Sequence, residues 1–122
     1  TVFQSPIGPL IHPKFGLWHA YRGAFLFRER LSLPVKTEIS SPCAFCSDRP
    51  CLTSCPVDAL ESGSYNVSDC VTFLQNSKES QCLTSGCAAR AACPIGQLFH
   101  YKTDQASFHQ QKFLRGQTDF EP

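Results

Sequence analysis

The chain has 122 residues, 42% of them hydrophobic and 17% charged, with a formal net charge of +1. That length admits one domain, or one small domain joined to a piece of another, and the composition excludes disorder and collagen-like repeats. Near-neutral charge argues against an electrostatic nucleic-acid binder. No apolar run approaches the roughly 20 residues of a membrane-spanning helix and the first residues lack a secretory-signal pattern, so a soluble cytoplasmic protein is expected.

Residues 1–41 contain no cysteine and four of the nine prolines, Pro6, Pro9, Pro13 and Pro34. Within them FGLWHAYRGAFLF (15–27) ends in the apolar run AFLF, which favours a strand. Charges at Arg28, Glu29 and Arg30 follow, and Leu33-Pro34 closes the element. Residues 1–41 are therefore expected to form a strand and loop, the remnant of an upstream domain or the linker to one. The chain has no methionine and reads as a piece of a longer protein. The aromatic cluster of Phe15, Trp18, Tyr21, Phe25 and Phe27 is expected to build core or domain interface.

From residue 42 to 98 the cysteines set the structure. A brief helix is expected over PVDALE (56–61), with Pro56 at its first position, Asp58 in its first turn and Ser62-Gly63 as its stop. Ser68 or Asp69 is expected to cap a second helix through CVTFLQ (70–75). There Cys70, Phe73 and Leu74 share one face, which should point at whatever Cys70 binds. Residues 99–122 are expected to form a C-terminal helix and tail. The helix spans 104–115, capped by Thr103 or Asp104, stopped by Gly116, and packs through Ala106, Phe108, Phe113 and Leu114, while 117–122 reads as solvated. CPVDAL (55–60) recurs as CPIGQL (93–98), so the chain reads as two imperfect halves.

Eight cysteines in a short chain have three common explanations: disulfides, structural zinc or iron–sulfur clusters. The first group here is Cys43-x2-Cys46-x4-Cys51-x3-Cys55-Pro56. A cubane of four irons and four sulfides takes four thiolates, and a short loop wraps only three of its corners. In the two-cluster bacterial ferredoxin pattern, the cysteine before proline ligates the other cluster. Applied here, that rule assigns Cys43, Cys46, Cys51 and Cys93 to one [4Fe–4S] cluster and Cys55, Cys70, Cys82 and Cys87 to a second, and all eight are used. Each Cys-Pro pair is expected to start a helix whose positive N-terminal end faces an anionic cluster, with Arg49 and Arg90 offsetting charge.

A zinc site usually shows two C-x2-C pairs, often with histidine. This chain has one pair, and His12, His19, His100 and His109 lie outside the cysteine region. Disulfides need an oxidising compartment and leave the Cys-Pro repeat unexplained. The four histidines read as packing or hydrogen-bonding groups and Asp48 with Arg49 as a solvated loop pair. No side chain reads as a catalytic acid, base or nucleophile.

PCAFCSDRPCLTSCPVDAL (42–60) resembles the first motif of dicluster iron–sulfur proteins, including electron-transfer subunits of molybdenum oxidoreductases. The order of all eight cysteines resembles that in epoxyqueuosine reductase and its relatives, the corrinoid-dependent reductive dehalogenases, through DCVTFL (69–74) and GCAARAACP (86–94). HPKFGLWHAYRGAFLFRERLSLPV (12–35) is loosely similar to the segment that links cofactor and cluster domains in those enzymes, and GLWHAYRGA is similar to bacterial proteins described only as ferredoxin-like. The second motif departs from the pattern, since Cys82-x4-Cys87-x5-Cys93 replaces tighter gaps.

The resemblance implies an α+β fold, a small ferredoxin-like dicluster domain of short helices and cysteine loops over residues 42–98. It implies a module with two [4Fe–4S] clusters that passes single electrons to a reductase centre. Its partners would be redox proteins or an upstream cofactor domain, with no nucleic acid and no membrane. The corrinoid-binding and catalytic domain of such enzymes would precede Thr1. The alternatives are part of a complete corrinoid- or flavin-dependent reductase, and a zinc-stapled interaction module.

Overall fold

Proline, glycine and one histidine shape the N-terminus in the computed structural model, which describes residues 1–35 and 38–118. β1 (Phe3–Gln4) pairs antiparallel with β2 (Leu10–Ile11), Phe3 opposite Ile11 and Gln4 opposite Leu10. The chain then turns at once. His12 and Gly16 exchange backbone hydrogen bonds of 2.9 and 2.8 Å, and His12 Nδ1 accepts the N–H groups of Lys14 at 3.0 Å and Phe15 at 3.2 Å. His12 is thus a turn-closing group.

Two glycines set where this turn docks. A Cβ on Gly16, whose φ is +59°, would lie 1.9 Å from Ile95 O, and one on Gly96, whose φ is +77°, would lie 2.4 Å from the Phe15 carbonyl. Backbone therefore meets backbone, and the N-terminal turn sits directly on the chain after Cys93-Pro94. Arg90 reinforces the contact by donating from Nε (3.1 Å) and from Nη2 to Leu17 O. In consequence Ile7, Ile11 and Leu17 share one buried cluster with Cys51, Leu60, Ala89 and Cys93.

The strand expected at AFLF is not formed. Residues 19–35 have no regular structure, and Phe25, Leu26 and Phe27 are 89%, 98% and 64% exposed. A strand needs a neighbouring backbone to satisfy its N–H and C=O groups, and no described residue pairs with this run. The strands of the N-terminal segment are β1 and β2 instead.

A 3₁₀ turn at Pro42–Phe45 leads to α1 (Pro50–Thr53), begun by Pro50 after the left-handed Arg49. The helix expected over 56–61 is replaced by a turn and a hairpin. Asp58 takes φ +48°, incompatible with a continuing helix. β3 (Leu60–Glu61) then pairs with β4 (Ser64–Tyr65) around the Ser62-Gly63 turn, which places Leu60 in the core.

α2 (Val67–Asn76) starts earlier than expected because Asn66, not Ser68 or Asp69, caps it by accepting the Asp69 N–H at 3.2 Å. α3 (Gln81–Ser85) and α4 (Ala88–Ala91) are short, and a second 3₁₀ turn follows at Gln97–Phe99. α5 (Thr103–Thr118) runs through Gly116, which does not stop it, and residues 119–122 of the expected tail lie outside the described residues. α5 packs on α3: Ser107 Oγ donates to Leu83 O at 2.9 Å, and Ala106 occupies the place that a Gly86 side chain would take. Phe108, expected to pack, is 55% exposed. Among the described residues no helix is long and apolar enough to cross a membrane.

Gly16→Ala and Gly96→Ala should each lower stability by roughly 2 kcal/mol or more, from left-handed strain plus the clash. Gly23→Ala, where a Cβ meets nothing within 4 Å, should change it by about 0.5 kcal/mol or less. Chemical denaturation of the three variants checks the contrast.

Candidate metal centre

The eight cysteines gather into two sets of four. Cys55, Cys70, Cys82 and Cys87 line a cavity of ≈ 390 Å³, and Cys43, Cys46, Cys51 and Cys93 line a smaller one of ≈ 20 Å³. Two short helices account for the grouping, because each runs from one set to the other. α1 carries Cys51 of the smaller set, and Cys55 of the larger set follows its end. α4 has Cys87 of the larger set as its N-cap, and Cys93 of the smaller set follows its end. α1 and α4 pack against each other, which holds the two sets side by side. All eight thiols are free of disulfides.

The expected face of α2 is present: Cys70, Phe73 and Leu74 all line the larger cavity, and Leu74 is completely buried. Phe113 of α5 and Tyr65 of β4 complete that side, their rings stacked at 6.3 Å. Trp18 and Arg90 form another wall, with the guanidinium carbon 4.5 Å from the indole centroid. Arg49 lines the smaller cavity. Nothing in the local spacing of Tyr65, Phe113 and His109 points them to the cysteines.

The electrostatics follow from burial. Desolvation is the largest influence on Cys51, Cys70, Cys87 and Cys93, and it raises all four thiols above the ordinary value of 9.0, with neighbouring cysteines adding to the shift. Hydrogen-bond donors oppose it: the Tyr65 hydroxyl acts on Cys70, the Ala89 and Arg90 backbone on Cys87, and the Ile95 backbone on Cys93. Tyr65 is itself raised well above its usual range, first by burial and then by its bond to Cys70.

The Ala59 N–H donates to Cys55 Sγ at 3.3 Å. These donors correct the expectation that each Cys-Pro pair starts a helix. Pro56 and Pro94 both lead into turns, so single N–H groups in those turns take the place of a helix end.

Cavity and donor set can be tested against candidate groups. Among the described residues no group of three or more His, Cys, Asp or Glu is close enough to hold a single metal ion. Tetrahedral zinc needs four sulfurs at about 2.3 Å from one centre. Four thiols spread around ≈ 390 Å³ of mostly apolar wall instead suit a polyatomic thiolate-held core.

The Trp18 Nε1–H is buried with no acceptor among the described residues. An inorganic sulfide in the cavity that Trp18 lines would supply one, as hydrogen bonds to cluster sulfurs commonly do. The smaller set has four thiols around space for about one water, so at this size it does not fit a cube. Comparisons with protein-family models, curated proteins and solved structures found no match to the chain.

In metal-free, reduced protein the raised thiols favour the protonated folded state. Their stability contribution is complete below the unfolded value of 9.0 and is lost as pH rises from there through the higher folded values. The denaturation midpoint should therefore fall between pH 8 and about pH 11. An unchanged midpoint across that window would contradict the burial argument.

Proposed function

We propose that this chain is an electron-transfer module with two [4Fe–4S] clusters, one held by Cys43, Cys46, Cys51 and Cys93 and the other by Cys55, Cys70, Cys82 and Cys87. The observation that carries the reading is the exchange of Cys55 and Cys93. Each thiol that precedes a proline leaves its own sequence group and joins the other set, as a two-cluster arrangement requires. A bound cluster supplies one-electron storage, and the chain supplies its surroundings. Phe73, Leu74 and Phe113 exclude water, Tyr65 and Ala59 donate to ligand sulfurs, and Trp18 offers a free N–H.

The exposed run at Phe25, Leu26 and Phe27 favours a second reading at the next level of organisation. In it, the same module is the electron-transfer part of a larger corrinoid- or flavin-dependent reductase whose cofactor domain covers that run. A zinc-stapled module is less favoured at the larger set, where four thiols line ≈ 390 Å³, more space than one tetrahedral ion fills.

Anaerobic reconstitution should give a brown protein with about eight irons and about eight sulfides per chain and an EPR signal on reduction. About four irons would remove the second cluster, and a colourless zinc protein would remove both. Cys93→Ala should cut the iron content to about half by opening the smaller set while leaving the larger one intact. Trp18→Phe, which keeps the ring and removes the N–H, should lower the reduction potential in a redox titration, since donors to sulfur stabilise the reduced cluster.

A further inference from the structure

Arg90 and His109 line both the larger cavity and a separate open cleft of ≈ 290 Å³, whose other walls are His19, Ala20, Tyr21, Arg22 and Tyr101. None of these lining residues is acidic. Arg90 is fixed in place: its guanidinium carbon lies 4.5 Å from the Trp18 ring centre and 4.9 Å from that of Tyr101. Its Nε and Nη2 donate to Leu17 O. Nη1 has no hydrogen-bond acceptor and the side chain no carboxylate partner among the described residues.

Arg22 brings a second positive charge and is exposed. Aromatic surface surrounds the pair, with Tyr101 and His109 rings 5.5 Å apart and His19 and Tyr21 rings 5.8 Å apart, edge to face. His19 is oriented by its Nδ1, 3.2 Å from Gly16 O. A rigid unpaired guanidinium between π-faces is suited to an anion carried on a flat ring.

We propose that this cleft binds a planar aromatic anion, a one- or two-ring system bearing a carboxylate or phosphate, with the ring against Tyr21 and Tyr101 and the anion on Arg90 and Arg22. The volume is at the lower end of ligand pockets, about 300 Å³, which suits two fused rings better than three. Because Arg90 and His109 are shared walls, the occupant lies one side-chain layer from the larger thiol set. Its meaning as an electron-exchange partner rests on the function proposed above, whereas its binding does not.

Isothermal titration of the protein as prepared tests this with 2-naphthoate, its neutral analogue 2-naphthol, and the non-aromatic anion cyclohexanecarboxylate. Naphthoate should bind at one site per chain, about tenfold or more tighter than either analogue, because 2-naphthol loses a charge-assisted contact and cyclohexanecarboxylate loses the aromatic contact. Arg22→Gln and Tyr21→Ala should each weaken it by about three- to tenfold. Both side chains are exposed and outside the buried core, so folding is not at stake, as thermal melts of the two variants would verify.

Equal affinity for 2-naphthol would overturn the anion site. Naphthoate affinity indifferent to Arg22→Gln would overturn the cleft, because Arg22 lines the cleft and not the larger cavity. Iron analysis of the same samples separates the claims. Iron without naphthoate binding removes the cleft alone, and naphthoate binding in protein that takes up no iron removes the electron-transfer reading alone.

Discussion

Two four-residue helices tie this molecule together, because each delivers one thiol to each of two sites. A helix that short makes too few hydrogen bonds to persist alone. α1 and α4 survive by packing on each other and by burying Cys51, Ala89 and Cys93 in the shared core. The apolar core itself is small: of eleven buried hydrophobic residues among those described, three are cysteines. A chain of this size with so little apolar burial gains greatly from cross-links at its thiols. On the proposed reading, cluster binding and folding are therefore one process.

The N-terminal segment is joined to that arrangement by backbone contact more than by side-chain packing. Gly16 and Gly96 lack side chains where two turns touch, and Arg90 reaches across to the Leu17 carbonyl. The contact seats Trp18 in the wall of the larger cavity and against the Arg90 guanidinium. One arginine then acts as a brace for the N-terminal turn, a wall of the thiol cavity and a wall of the neighbouring cleft. Beyond Arg22 no described residue pairs with the chain through 23–35, and Phe25, Leu26, Phe27, Leu33 and Val35 leave their side chains exposed.

Burial disfavours thiolates, and any group that holds them as anions must be matched by donors. The structure provides these one at a time, from Ala59, Ile95, the start of α4 and the Tyr65 hydroxyl. A helix end aimed at the sulfurs would have offered several together. Turns after Cys55-Pro56 and Cys93-Pro94 give the same kind of contact with less chain, and in the first case they free Leu60 to enter a hairpin and the core.

The cysteine order, read through the two-cluster ferredoxin pattern, divides the thiols into the same two groups of four that line the two cavities. Local periodicity likewise gave α2 and its cysteine-bearing face, and the existence of α5. The AFLF run and the PVDALE segment were misjudged because strand and helix preferences are weak there, and the outcome depended on whether a distant backbone was available to pair. Trp18 of the N-terminal turn, Tyr65 of β4 and His109 and Phe113 of α5 come from three distant parts of the chain, so their meeting around one cavity is a long-range fact. Cysteine order is a property of the local sequence, whereas the walls that give the thiols a dielectric, donors and a neighbour exist only once the chain has folded back on itself.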